Sequence, residues 1–160
     1  MIETFLPGIG HLQNIHPVMV HFPIAFLTGA ALSYFLAWIF RSEKFAFTAF
    51  SSLVLGAVSA AVAAGTGLYA EGGVMVSLSV RERLLERHEQ FMLAVTGVSL
   101  VLALWAGFGK LFPNKGRVFF VLLLLIQLGI MAVGADYGAR MVYDYNAGGA
   151  ACSQPIEFTK

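Results

Sequence analysis

Imidazole is the side chain in this sequence with the widest reach in chemistry, and it occurs at His11, His16, His21 and His88. A neutral imidazole binds transition metals and serves as an axial ligand to haem iron, while its second nitrogen is oriented by a hydrogen bond. Met19, Met75, Met92 and Met141 lie in the same parts of the chain. Thioethers beside imidazoles are a copper-type donor set, although methionine in an apolar segment is more often filler. Asp136 and Arg140 have the spacing of a helical ion pair, and the planar fork of Arg140 also suits a haem propionate or a lipid phosphate. Cys152 is the lone cysteine, so the chain has no internal disulfide and no CxxCH site for covalent haem. Non-covalent haem stays open. No hydrolytic constellation is visible, because the serines have no matched acid–base pair.

The elements that must position these groups follow from composition. The 160 residues are 58% hydrophobic and 12% charged, with a mean hydropathy of +0.77, whereas soluble domains are about a quarter charged. A net charge of +1 gives no electrostatic footprint for nucleic acid. The charges fall in short clusters between long uncharged runs. A hydrocarbon core of about 30 Å takes roughly 20 apolar helical residues, and four runs reach that length.

The predicted helices cover about 18–40, 45–69, 80–108 and 118–145, joined by turns after Arg41 and Phe108 and by a longer loop with Gly72 and Gly73. Ser79 and Glu82 read as a capping box opening the third helix. Short connections make successive helices antiparallel neighbours. The expected fold is therefore all-α, an integral membrane up-down four-helix bundle forming a single domain over residues 1–160. Ser52, Gly56, Ala60 and Ala64 form a small-residue stripe on the second helix. Tight packing in lipid explains such a stripe better than a slot for a flat cofactor. Gln127, polar and deep in the fourth span, is expected to bond a neighbouring helix.

Lysines and arginines divide equally between the two membrane faces, but those at the turns lie in short loops with a single acid, Glu43. The positive-inside rule then makes the turns cytoplasmic and both termini periplasmic. Met1 to Gly10 lacks a basic region followed by an A-x-A-like site, so the first helix is expected to act as its own insertion signal.

Counting about 20 residues from each charged turn brings His21 and the neighbourhood of His88 to the same depth, with His11 and His16 just above. His88 shares a helical face with Leu84, Leu85, Phe91, Met92 and Val95, an apolar stripe expected to face the bundle. His21 shares one with Ala25, Thr28, Gly29 and Leu32, where small residues leave room beside a ring. His16 is five residues earlier, about 140° around a continuous helix. Both cannot meet one partner unless Pro17 and Pro23 break the helix between them. This reading makes His21 and His88 the axial ligands of a haem b iron, with His16 in reserve or shaping a quinone pocket, and Arg140 at a propionate. The alternative is that His21 and His88 only hydrogen-bond within a helix interface.

The run His16-Pro17-Val18-Met19-Val20-His21-Phe22-Pro23-Ile24-Ala25 resembles a signature, HPxxVHFPIA, of the bacterial membrane family catalogued as domain of unknown function 2231. Further matches follow in order: Gly65-Thr66-Gly67-Leu68-Tyr69, then His88, then a closing stretch from Gly134 through Gly138, Ala139, Arg140, Met141, Val142 and Tyr143. The sequence departs from the family at Asp144-Tyr145-Asn146, where a glycine usually follows the Val-Tyr pair, and in the tail with Cys152. The resemblance implies a four-helix protein of the bacterial inner membrane. Family members joined to c-type cytochrome modules imply electron transfer at the periplasmic face. Together these give the expected function, a b-type cytochrome-like electron-transfer subunit. It would be non-catalytic by itself, with quinol oxidation only alongside partners, and those partners would be the bilayer, membrane proteins and periplasmic c-type cytochromes. The rival expectations are a non-redox scaffolding or assembly subunit and a periplasmic copper- or iron-handling protein.

Overall fold

The computed structural model describes residues 14–74, 76–145 and 147; His11, Met75 and Cys152 lie outside them. The chain is helical, and no strand occurs among the described residues. Helix α1 (His16–Met19) leads into α2 (His21–Phe40), and α3 (Glu43–Glu71) returns. A short loop precedes α4 (Leu78–Val80) and one π-helical turn (Arg81–Leu85), which runs directly into α5 (Glu86–Phe108). Helix α6 (Arg117–Tyr145) completes an up-down bundle. Among the described residues, four helical segments are long and apolar enough to cross a membrane: His16–Phe40, Glu43–Glu71, Leu78–Phe108 and Arg117–Tyr145. Each segment begins or ends at the same face as the histidines, called here the histidine end.

Local chemistry sets the breaks. Pro23 has no N–H to offer the Met19 carbonyl, and its ring crowds that carbonyl, so the regular helix is interrupted at Val20, between α1 and α2, although Val20 keeps helical dihedrals (φ −64°, ψ −22°). Arg41 closes α2 in the left-handed region (φ 49°), and Ser42 caps α3 by accepting from the Phe45 N–H at 3.5 Å. The expected capping box at Ser79 does not form. The chain turns one step earlier, at extended Ser77, so Ser79 is already helical and its hydroxyl meets that of Ser77 at 3.1 Å. Glu82 consequently falls in the π-helical turn.

The bundle is apolar outside as well as inside. Leu32, Phe35, Ile39, Leu55, Val101 and Leu104 are all exposed, as a lipid-facing surface requires. Toward the turn end the core is large: Leu27, Tyr34, Leu53, Leu102 and Phe120 are fully buried, and the Tyr34 hydroxyl donates to the Leu111 carbonyl at 2.8 Å. Gly56 lets α2 and α3 meet closely, since a Cβ there would lie 2.5 Å from Leu27 Cδ2. From the small-residue stripe, Gly56 and Ala60 are buried, with Ala57 and Ala63 beside them. A smaller cluster of Val80, Leu84, Leu85 and Met141 closes the histidine end.

Gln127 does bond a neighbouring helix: its Nε2 donates to Ser99 Oγ at 2.7 Å, and Ser99 donates to the Val95 carbonyl at 2.7 Å. Both side chains are fully buried, and Gln127 Oε1 has no partner among the described residues. Ser99→Ala strips the Gln127 amide of its acceptor where no water competes. It should cost about 1–2 kcal/mol of unfolding free energy in detergent or lipid. Adding Gln127→Leu should recover most of that loss, because both polar groups are then gone. A double variant less stable than Ser99→Ala would contradict the pairing.

Candidate functional site

Two histidines from different spans meet at one end of the bundle. The ring centroids of His16 and His88 are 6.3 Å apart and the ring planes lie 80° to one another. His16 opens α1 next to Pro17, a residue tolerated in a first helical turn, and its backbone N–H donates to Asn14 Oδ1 at 3.0 Å. His88 stands at the start of α5, immediately after the π-helical turn. A π-turn holds one extra residue, so it rotates the face upstream of His88 relative to the face below it.

Each ring is clasped in the same way. His16 Nδ1 lies 3.0 Å from the Ala63 carbonyl of α3 and 3.2 Å from Thr66 Oγ1, whose own proton goes to Ala63 at 2.9 Å. His88 Nδ1 lies 2.7 Å from the Gly134 carbonyl of α6. Four residues beyond each accepting carbonyl stands a glycine. A Cβ on Gly67 would lie 2.9 Å from His16 Cε1, and one on Gly138 would lie 3.0 Å from His88 Cε1. Both glycines therefore open a shelf on which an imidazole lies flat enough to reach a helical carbonyl. The helical hairpin α2–α3 and the hairpin α5–α6 thus use one device, with a histidine at the start of each and a carbonyl–glycine pair on the returning helix.

The clasp fixes protonation. A carbonyl only accepts, so Nδ1 of each ring carries the proton. In the neutral ring Nε2 then keeps its lone pair. Neither Nε2 has a hydrogen-bond partner among the described residues. The two rings are neighbours, with centroids 6.3 Å apart, and imidazole nitrogen is a transition-metal ligand. Among the described residues no three His, Cys, Asp or Glu side chains are grouped to hold a metal. A pair suits a metal whose other ligands arrive with it, as the porphyrin nitrogens of haem do. The donor set fits that group.

The expected inward partner of His88 was His21, and here the structure reverses the choice. His21 is exposed, as are Ala25, Thr28 and Leu32 on the same face of α2. The buried stripe is Pro23, Leu27, Ala30, Tyr34 and Ala37. His16, about 140° around the helix from His21, faces α3 instead. The inward face expected for His88 is present, with Leu84, Leu85 and Val95 buried and Phe91 stacked on Tyr137 at 5.7 Å. Arg140 stands on the surface of α6 and pairs with Asp144 at 3.7 Å, not with Asp136. Because α6 continues to Tyr145, Asp144 is also one helical turn away and takes that contact. Thr66, Gly67, Gly134 and Gly138 have site roles that spacing arguments did not assign, and glycines one turn past an accepting carbonyl were the available signal.

The family model described as "Predicted membrane protein (DUF2231)" matches residues 12–151. No curated protein and no solved structure matches the chain.

Proposed function

The chain belongs to the domain of unknown function 2231 family of membrane proteins, and we propose that it is a b-type cytochrome-like electron-transfer subunit in which His16 and His88 hold haem. One observation carries the reading: two imidazoles from separate spans stand 6.3 Å apart, each with Nδ1 tied to a backbone carbonyl. Bound haem would supply a one-electron couple at the membrane edge. The protein residues do the rest. The carbonyls of Ala63 and Gly134 draw on the Nδ1 protons, which makes each Nε2 a stronger donor and fixes the ring orientation. The apolar faces of α5 and α6 keep water from the rings and thereby help set the potential. His21, at the bundle surface beside α1, is left to meet lipid or a quinone headgroup. Arg140 remains available to an acidic group at the rim.

In this reading the protein sits in the bacterial inner membrane with the histidine end periplasmic. It passes electrons between a membrane donor, a quinol for instance, and a periplasmic carrier such as a c-type cytochrome. The protein, purified after expression with ample haem, should show a Soret band and the paired visible bands of a low-spin, bis-imidazole haem on reduction. A colourless preparation would overturn the proposal.

A second reading draws on the same hydrogen bonds. Both rings already join helices, His16 to α3 and His88 to α6, which is what a scaffolding or assembly subunit without a cofactor would need. It expects histidine variants to lose complex assembly and never colour. Metal bound without porphyrin would instead favour copper or iron handling.

A further inference from the structure

A cavity of about 180 Å³ lies beside the histidine site, between the π-helical turn and the end of α6, walled by Val80, Arg83, Leu84, Tyr137, Arg140 and Tyr145. Arg83 and Arg140, from different spans, both line it. Their charges are poorly answered by the protein. Arg81, two residues from Arg83, is held by Glu71 at 2.8 Å. Arg83 itself has no ion pair or hydrogen bond among the described residues. Arg140 has only the long, exposed contact with Asp144 at 3.7 Å. Like charges converging on one cavity repel unless an anion lies between them, and a guanidinium fork matches an oxyanion in two hydrogen bonds.

The remaining walls say what kind of oxyanion. Apart from the two arginines the lining is apolar or aromatic, Val80, Leu84, Tyr137 and Tyr145, for which a free inorganic ion has no use. The cavity stands where the third and fourth spans reach the histidine end, between Leu78 and Tyr145, the depth of headgroups and glycerol. Exposed Tyr69 and Tyr143 occupy the same end, as interfacial tyrosines do. We infer that this cavity is a site for an anionic phospholipid, with the phosphodiester between Arg83 and Arg140 and the acyl chains running onto the exposed apolar surface of the bundle.

The test uses the full chain, purified in mild detergent and examined by native mass spectrometry with phosphatidylglycerol or phosphatidylcholine of identical acyl chains. Phosphatidylglycerol should be retained about tenfold better, and Arg83→Gln with Arg140→Gln should erase that preference. Arg83→Lys with Arg140→Lys keeps the charge but loses the fork. It should hold an intermediate amount and so guards against a folding defect in the glutamine variant. Millimolar inorganic phosphate should not displace the lipid. Equal retention of the two lipids, an undiminished preference in the glutamine variant, or displacement by phosphate would each overturn the inference. So would a glutamine variant that loses haem while keeping its lipid preference, since the oxyanion would then be a haem propionate.

Discussion

His88→Ala and His16→Ala should each abolish the low-spin haem spectrum, while His21→Ala leaves it unchanged. Loss of the outer partners of a metal-binding histidine alone lowers metal affinity about 10–100-fold, so deleting a ligand should lower haem retention by about 100-fold or more. Any haem that stays should become high-spin, with a single imidazole ligand. The comparison with His21 is the sharp part. His21 is only five residues from His16 in sequence, yet it is exposed on another side of the helix. A cavity variant, His88→Gly, separates ligation from mere packing: added imidazole should restore the low-spin bands, because free imidazole replaces the missing ligand but does not tether α5 to the Gly134 carbonyl of α6 as the His88 side chain does. If His21→Ala bleaches the protein and His16→Ala does not, the pair assigned here is wrong.

The fold class was legible because the bilayer sets a length and the sequence meets it. What the sequence hid is which side of each helix faces inward. In water an inward face announces itself by polarity contrast, but in lipid both faces are apolar. Helix α2 shows the consequence. Ala25, Thr28 and Leu32 look like a roomy interior beside His21, yet they are exposed, and the buried stripe through Leu27, Ala30 and Tyr34 is no more hydrophobic. His16 and His21 lie about 140° apart around a helix, so only one of them could face inward, and the local composition did not say which. In the π-helical turn and the start of α5 the charges Arg83, Glu86 and Arg87 mark an outer side, so His88 could be placed on the inner one. Polarity contrast exists there because that stretch rises out of the membrane. Gln127 was legible for a related reason, since an amide in hydrocarbon must find a partner, and it finds Ser99. Which carbonyls clasp the rings could not be read, because any helical carbonyl accepts; only the bare glycine shelf distinguishes those of Ala63 and Gly134.

That shelf carries the second large effect. Gly67→Ala puts a methyl 2.9 Å from His16 Cε1, and Gly138→Ala puts one 3.0 Å from both Cε1 and Nδ1 of His88. Nine in ten real Cβ contacts are longer than 3.4 Å, so each ring should shift by a few tenths of an ångström and strain its Nδ1–H bond to the carbonyl. Weakening that outer hydrogen bond should lower haem affinity about tenfold, and the crowding should cost about 1–2 kcal/mol of stability. The controls lie on the same helices. Gly65, two residues from Gly67, and Gly129, on α6, have nothing within 4 Å of a new Cβ. Alanine at those positions relieves the entropic cost of a helical glycine, so stability should hold or rise by up to about 1 kcal/mol, with the spectrum unchanged. Thermal melts and haem titrations of the four alanine variants separate the outcomes. Equal behaviour of Gly65→Ala and Gly67→Ala would mean that the shelf plays no part in holding His16. A loss of stability at Gly67 and Gly138 with haem affinity intact would favour the scaffolding reading, in which the clasped histidines join helices and nothing else.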